Sequence, residues 1–183
     1  SERLASQPSQ SRLLDRVANH PENLEILRSG LADGVERHLR ATGRDQAVKR
    51  ATLDVDSFDV VTYGKQAGAE YNGYYGEKVY HPLVASFSPE GDYDSRRLGD
   101  GFVHAALRKG NVSSADGAVE FILTALEKCQ GMAQAVDLRM DAAFANEKVM
   151  DALTDRGNRF VSRLPNNPVL DKLAQPHLTR PVG

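Results

Sequence analysis

Two short runs restrict the fold of this chain more than anything else in it: Thr52-Leu53-Asp54-Val55-Asp56-Ser57 and Ala135-Val136-Asp137-Leu138-Arg139-Met140-Asp141. In both, apolar residues take every second position, Leu53 and Val55 in the first, Val136, Leu138 and Met140 in the second. That is the period of a strand with one face in a core. In each, the alternation closes on an aspartate, so two strand-terminal carboxylates, Asp56 and Asp141, lie about eighty-five positions apart in the chain.

The flanking patterns extend this reading. Residues 1–50 carry Leu13, Leu14 and Val17, then Leu24, Ile26, Leu27, Leu31, Val35 and Leu39, at roughly helical spacing with breaks at His20-Pro21 and Gly30; two or three helices are expected. After the first strand, the glycine- and tyrosine-rich stretch 64–76 reads as a long irregular hairpin connection. A second strand is expected from Lys78 to Phe87, ending in Ser88-Pro89-Glu90-Gly91-Asp92, and a third from Gly101 to Arg108, stopped by Gly110-Asn111. A helix should start at Ser114 with Ala115-Asp116-Gly117 and reach Gln130, burying Val119, Ile122, Leu123 and Leu126. The Asp141 strand follows, then a helix from Asn146 to Arg156 and a last strand from Arg159 to Leu164. Beyond it, prolines 165, 168 and 176 should break regular structure.

Three antiparallel strands followed by helix, strand, helix, strand is the order of an α/β, RNase H-like mixed sheet covered by helices. A generic α/β domain shares that order. The expected division is an N-terminal helical segment, 1–50, and a catalytic domain, 51–183. At 183 residues, 40% of them apolar and 26% charged, the chain can bury a sizeable core.

In the RNase H-like arrangement the first and fourth strands lie side by side, so Asp56 and Asp141 would converge. Adjacent carboxylates repel; two Mg²⁺ (or Mn²⁺) ions roughly 3.5–4 Å apart would relieve that and drive in-line attack on a phosphodiester. Mg²⁺ prefers oxygen ligands, so neither Cys129 nor the five histidines, which show no zinc spacing, is needed. The alternative is that both aspartates merely cap loops or helices. Asp54 shares the Asp56 face, as a supporting group or a ligand; Asp92, Asp94 and Asp100 read as solvated turn residues. Arg139, on the Asp141 face, is the candidate to steer a phosphate or orient a carboxylate. Lys65, Lys78, Arg96 and Arg97 are further phosphate candidates, with solvated charge as the other reading. Tyr71, Tyr74 and Tyr75, with Asn72, either meet DNA near the metals or close a local core.

Charge and cysteine usage narrow the classes. Residues 1–50 hold nine Lys/Arg against seven Asp/Glu, and residues 51–183 fourteen against eighteen, for a net charge of −2. That argues against a surface that is wholly a DNA-binding field. A lone cysteine rules out an internal disulfide framework and points to a reducing compartment, the cytoplasm. There is no apolar run of membrane-span length and no leader-like segment in residues 1–20, so neither a membrane nor secretion is expected.

Taken as a series, Leu4-Ala5-Ser6-Gln7-Pro8, Ser11-Arg12-Leu13, Asp54-Val55-Asp56-Ser57, Tyr63-Gly64-Lys65-Gln66, Tyr71-Asn72-Gly73-Tyr74-Tyr75-Gly76, Gly110-Asn111-Val112, Ala115-Asp116-Gly117 and Leu138-Arg139-Met140-Asp141 with Phe144-Ala145 resemble the bacterial insertion-sequence transposases of DDE domain group 1. The resemblance implies Asp56 and Asp141 as the first two catalytic, metal-holding acids, and double-stranded transposon-end and target DNA as partner. It also implies a homodimer of the full-length protein and action at the nucleoid. The third acid of such proteins is a glutamate beyond an inserted region. Glu147, the only glutamate after Asp141, lies too close to it to match. A chain that starts on serine and lacks that glutamate is expected to be a fragment with little strand-transfer activity of its own. Two alternatives stay open: an RNase H-superfamily nuclease, and a truncated or decayed transposase that binds DNA or a partner without cutting.

Overall fold

The structure is a computed structural model that describes residues 6–42, 48–90, 101–165 and 167–177. Two helices lead, α1 (Gln7–Ala18) and α2 (Pro21–Ala41). They are followed by β1 (Ala51–Ser57), β2 (Val60–Val61), β3 (Glu70–Asn72), β4 (Glu77–Tyr80), β5 (Leu83–Pro89) and β6 (Gly101–Ala106). Then come α3 (Ala118–Lys128), β7 (Val136–Met140), a 3-10 turn at Ala142–Phe144, α4 (Glu147–Asp155), β8 (Phe160–Ser162) and α5 (Pro168–Ala174).

The main sheet has the order β6-β5-β1-β7-β8. β1 runs antiparallel to β5 and parallel to β7; β5 and β6 are antiparallel, β7 and β8 parallel. A three-strand meander extended through a helical crossover into two parallel strands is the RNase H-like topology. Its buried face follows the period of two. Leu53 and Val55 of β1, Ala85 and Phe87 of β5, Val103 of β6 and Leu138 and Met140 of β7 join one core with residues of α2, α3 and α4. The opposite face carries Asp54, Asp56, Ser86, Phe102 and Arg139 and borders an open cavity.

α2 packs into that same core through Ala32, Val35 and Leu39. The approach of α2 to the sheet is tight at Gly101, where a β-carbon would stand 2.6 Å from Cγ2 of Val35. Of the two breaks expected there, His20-Pro21 separates the helices, whereas Gly30 is absorbed within α2, because one glycine inside a helix costs only about 1 kcal/mol.

Three local expectations are corrected. The single strand expected from Lys78 to Phe87 is two strands in different sheets, β4 pairing with β2 and β3 and β5 pairing with β1 and β6. The break falls at His81-Pro82, where proline has no N–H for the ladder. The connection 64–76, expected to be irregular, contributes β3 to that small sheet. Pro168 opens α5 rather than ending regular structure, with Asn167 as its cap accepting from the Val169 N–H at 2.9 Å. A proline in the first turn forfeits no helical bond.

The helix expected from Ser114 begins at Ala118, and its fully buried face is Ala118, Phe121, Ile122 and Ala125, with Val119 and Leu126 only partly buried. The apolar stripe is wide enough that packing against β5 and β6 selects the rotation. α4 starts where its sequence indicates, Asn146 capping it by accepting from the Val149 N–H at 3.1 Å. Asp92, Asp94, Arg96, Arg97 and Asp100 lie outside the described residues.

Candidate active site

β1 and β7 run parallel with Val55 opposite Met140. The next residue on each side is an aspartate, Asp56 still paired with Val84 of β5 and Asp141 just past the end of β7, so the two lie at the same end of the parallel pair, and both are exposed. Each carboxylate is oriented by its own backbone. Oδ1 of Asp56 accepts from the Ser57 N–H at 2.7 Å, and Oδ1 of Asp141 accepts from the Ala143 N–H at 2.9 Å, capping the 3-10 turn. The Asp141 carbonyl is held in turn by the Ser162 hydroxyl at 2.9 Å. The second oxygen of each acid is left for another partner.

The donor set is oxygen only, which suits Mg²⁺ or Mn²⁺, and two carboxylates with waters and substrate phosphates are within what Mg²⁺ accepts. Among the described residues no group of three or more His, Cys, Asp or Glu side chains converges. The two aspartates thus offer suitable oxygen donors, and no third acid joins them among the described residues.

Asp54 and Arg139 stand opposite each other in the same register and form a two-bond ion pair, with Nη2 of Arg139 2.7 Å from Oδ2 and Nε bonded to Oδ1. Asp54 is thereby held by a cation beside Asp56. Lys65 and Lys78 are exposed around the small sheet, and Glu147 is exposed in the first turn of α4.

Two cavities flank Asp141. One of 510 Å³ lies over the open sheet face and is bordered by Asp54, Asp56, Arg139 and Asp141. The other, of 580 Å³, lies between the small sheet and the loop 111–114, with Tyr71, Tyr74 and Tyr75 on its walls. The tyrosines are thus gathered beside the acids. Burial raises the Tyr75 hydroxyl above its ordinary range, and the negative charges of Asp59, Asp141 and Asp56 push it the same way.

Four further side chains build the surroundings of the acids. Arg108 ties the loop to the sheet: Nε donates to the His81 carbonyl at 2.8 Å, and Nη1 to the carbonyls of Ser113 at 2.9 Å and Asp116 at 2.7 Å. Burial lowers its pKa, with Asp116 opposing. Ser57, just after Asp56, shares a 2.8 Å hydroxyl contact with Ser114. Asn72 fixes the tyrosine loop, its Nδ2 donating to the Gly110 carbonyl at 2.6 Å and its Oδ1 accepting from the Tyr74 N–H at 3.0 Å. His81 is 3% exposed beneath Tyr75, their rings edge to face at 5.7 Å. Its position in the His81-Pro82 interruption of an apolar run was the one available hint.

Similarity to solved structures is distant. The chain is 12% identical to piggyBac transposase in a synaptic complex with hairpin DNA, over 71% of this chain and 26% of that one, with a TM-score of 0.42. Against the catalytic domain of Mos1 mariner transposase the values are 12%, 82%, 67% and 0.39. Against a chain of the simian T-cell lymphotropic virus intasome in complex with a PP2A regulatory subunit they are 17%, 71%, 37% and 0.38. The chain thus spans well under half of the intasome and piggyBac chains. No curated protein matches it. A family match, by contrast, runs over residues 1–183 without interruption, and the chain belongs to the transposase DDE domain group 1 family.

Proposed function

We propose that this chain is the part of an insertion-sequence transposase that carries the first two metal-holding acids, and that it serves phosphodiester cleavage and strand transfer on double-stranded DNA at transposon ends. The observation that carries the reading is the placement of Asp56 and Asp141 as neighbours, one residue past the last paired positions of two parallel strands. A strand end is a rigid platform, so the spacing of the acids is set by the sheet rather than by loop motion.

Asp56 and Asp141 would hold Mg²⁺ through their outward oxygens, while Ser57 and Ala143 N–H groups keep the other oxygens in place. When bound, the ion supplies an activated water or 3′ hydroxyl and stabilises the leaving oxygen. Arg139 neutralises Asp54, so that this neighbouring carboxylate does not add repulsion toward an approaching phosphate. With no third acid joining the pair among the described residues, the isolated chain is expected to transfer strands weakly or not at all. The same fact favours, as a second reading, a chain that binds DNA without cutting it.

The test is Mn²⁺ binding followed by electron paramagnetic resonance and by anomalous scattering from soaked crystals. Manganese held between Asp56 and Asp141 supports the reading. Saturating Mn²⁺ that leaves both carboxylates unoccupied sinks it and leaves the DNA-binding alternative, recognisable by salt-dependent but metal-independent affinity.

A further inference from the structure

The 580 Å³ cavity beside Asp141 has a lining unlike that of a phosphate site. Among the described residues bordering it the sole formal charge is Asp141, and no lysine or arginine contributes. An anion would be repelled there. What the lining does offer is aromatic faces, from Tyr71, Tyr74 and Tyr75, together with amide and hydroxyl groups from Asn111, Ser113 and Ser114. Its size is that of a small-molecule site, roughly 300–1,000 Å³.

His81 closes the cavity from beneath, 3% exposed under the Tyr75 ring. Its Nδ1 lies 3.0 Å from the Val112 carbonyl, which can only accept, so Nδ1 carries the hydrogen. In the neutral ring Nε2 is then an acceptor, and it is buried with no partner among the described residues. Flat faces for stacking, with amide and hydroxyl groups for edge contacts, match a nucleobase, every one of which has a π-face and at least one ring or exocyclic N–H.

We propose that this cavity is a nucleobase subsite, taking one unstacked base of a DNA strand whose adjoining phosphodiester lies at Asp56 and Asp141. The inference rests on the DNA-processing reading above and adds to it a specific recognition element. The base enters between the tyrosines and presents its polar edge toward Asn111, Ser113 and Ser114, while its phosphate stays outside the acidic cavity. The wall is already ordered for this, because Asn72 clamps the Tyr74 backbone and Arg108 clamps the loop that carries Asn111.

The experiment uses the whole chain and a short duplex with a single-stranded 3′ extension, in which 5-iodouracil replaces each extension base in turn. Ultraviolet irradiation joins 5-iodouracil to an aromatic side chain in direct contact, and mass spectrometry locates the adduct. The expected result is adducts on Tyr71, Tyr74 or Tyr75 from one or two adjacent positions only. An abasic residue at that position should weaken binding roughly 5- to 100-fold, the scale of one base stacked on an aromatic ring. Tyr74→Ala should cost the same, and since Tyr74 is 91% exposed the change spares the fold. Tyr63→Ala, 84% exposed and outside the cavity lining, should change nothing. Adducts elsewhere, or an abasic site bound as tightly as the intact strand, overturn the subsite while leaving the metal site standing. A chain that does not bind the DNA at all overturns both.

Discussion

Asp54 and Arg139 face each other across the parallel pair β1 and β7, and the guanidinium engages both carboxylate oxygens, with Nη2 2.7 Å from Oδ2. The Arg139 side chain is 66% exposed and that of Asp54 25% exposed, so solvent screens much of the attraction. Arg139→Gln should therefore cost about 1 kcal/mol or less, and a double-mutant cycle with Asp54→Asn should show coupling of similar size. A cost of several kcal/mol in urea unfolding would overturn this.

Asp56→Asn and Asp141→Asn should separate charge from structure. Asparagine keeps an oxygen that can accept from the Ser57 or Ala143 N–H, so local geometry survives. Stability should move by roughly 0.5 kcal/mol or less, as for exposed positions generally. Mn²⁺ affinity should fall at least about tenfold in either variant, since each removes a charged ligand from a two-carboxylate set. Unchanged Mn²⁺ titrations in both would dissociate these residues from metal binding.

Gly110 is the position least able to accept a side chain. A β-carbon there would lie 2.0 Å from the Val79 carbonyl oxygen and 2.4 Å from that of Glu70, both backbone atoms that cannot swing aside. Gly110→Ala should destabilise by about 2 kcal/mol, lowering Tm by roughly 4–8 °C. It should also disturb the tyrosine loop, because Asn72 bonds to the Gly110 carbonyl. Gly30→Ala, in open space on α2, should be neutral or stabilising by the same calorimetry.

Cys129 is fully buried, and burial pushes its thiol up from 9.0 to about 12. A group with a raised native pKa contributes stability that is intact below its unfolded value and lost as pH climbs through the native one. The loss from this residue should run from about pH 9 to about 12. At pH 8 the thiol should resist aromatic disulfide reagents in the native protein and react fully in urea, so rapid native labelling would refute its burial.

His104 titrates with the opposite sign. Burial, then the charges of Lys128 and Arg28, lower its pKa below 6.5, and its ring stacks on Phe121 at 4.7 Å. The unfolded chain takes up the proton first, so stability declines as pH drops below about 6.5. His104→Phe removes that titration and should shift the acid-unfolding midpoint downward. An unmoved midpoint would assign acid sensitivity to other groups.

How much of this was open to the sequence depends on the range of the interaction. Alternation in 51–56 and 135–141 is a local consequence of strand geometry, and it placed β1, β7 and their terminal aspartates without reference to the rest of the molecule. The Asn146 cap and the strand-strand-strand, helix-strand order were equally legible, since each rests on neighbours in the chain. Only the tertiary structure decided the register that seats Asp54 against Arg139 and sets Asp56 beside Asp141, because strand pairing joins residues eighty-five positions apart. It alone decided that the 78–87 run divides between two sheets at Pro82, that α3 turns Phe121 and Ala125 inward, and that His81 and Asn72 line one cavity whose loop Arg108 ties to the sheet. Side-chain period is carried by adjacent residues, whereas register, helix rotation and the walls of a cavity are settled by packing between segments that the sequence does not place next to one another.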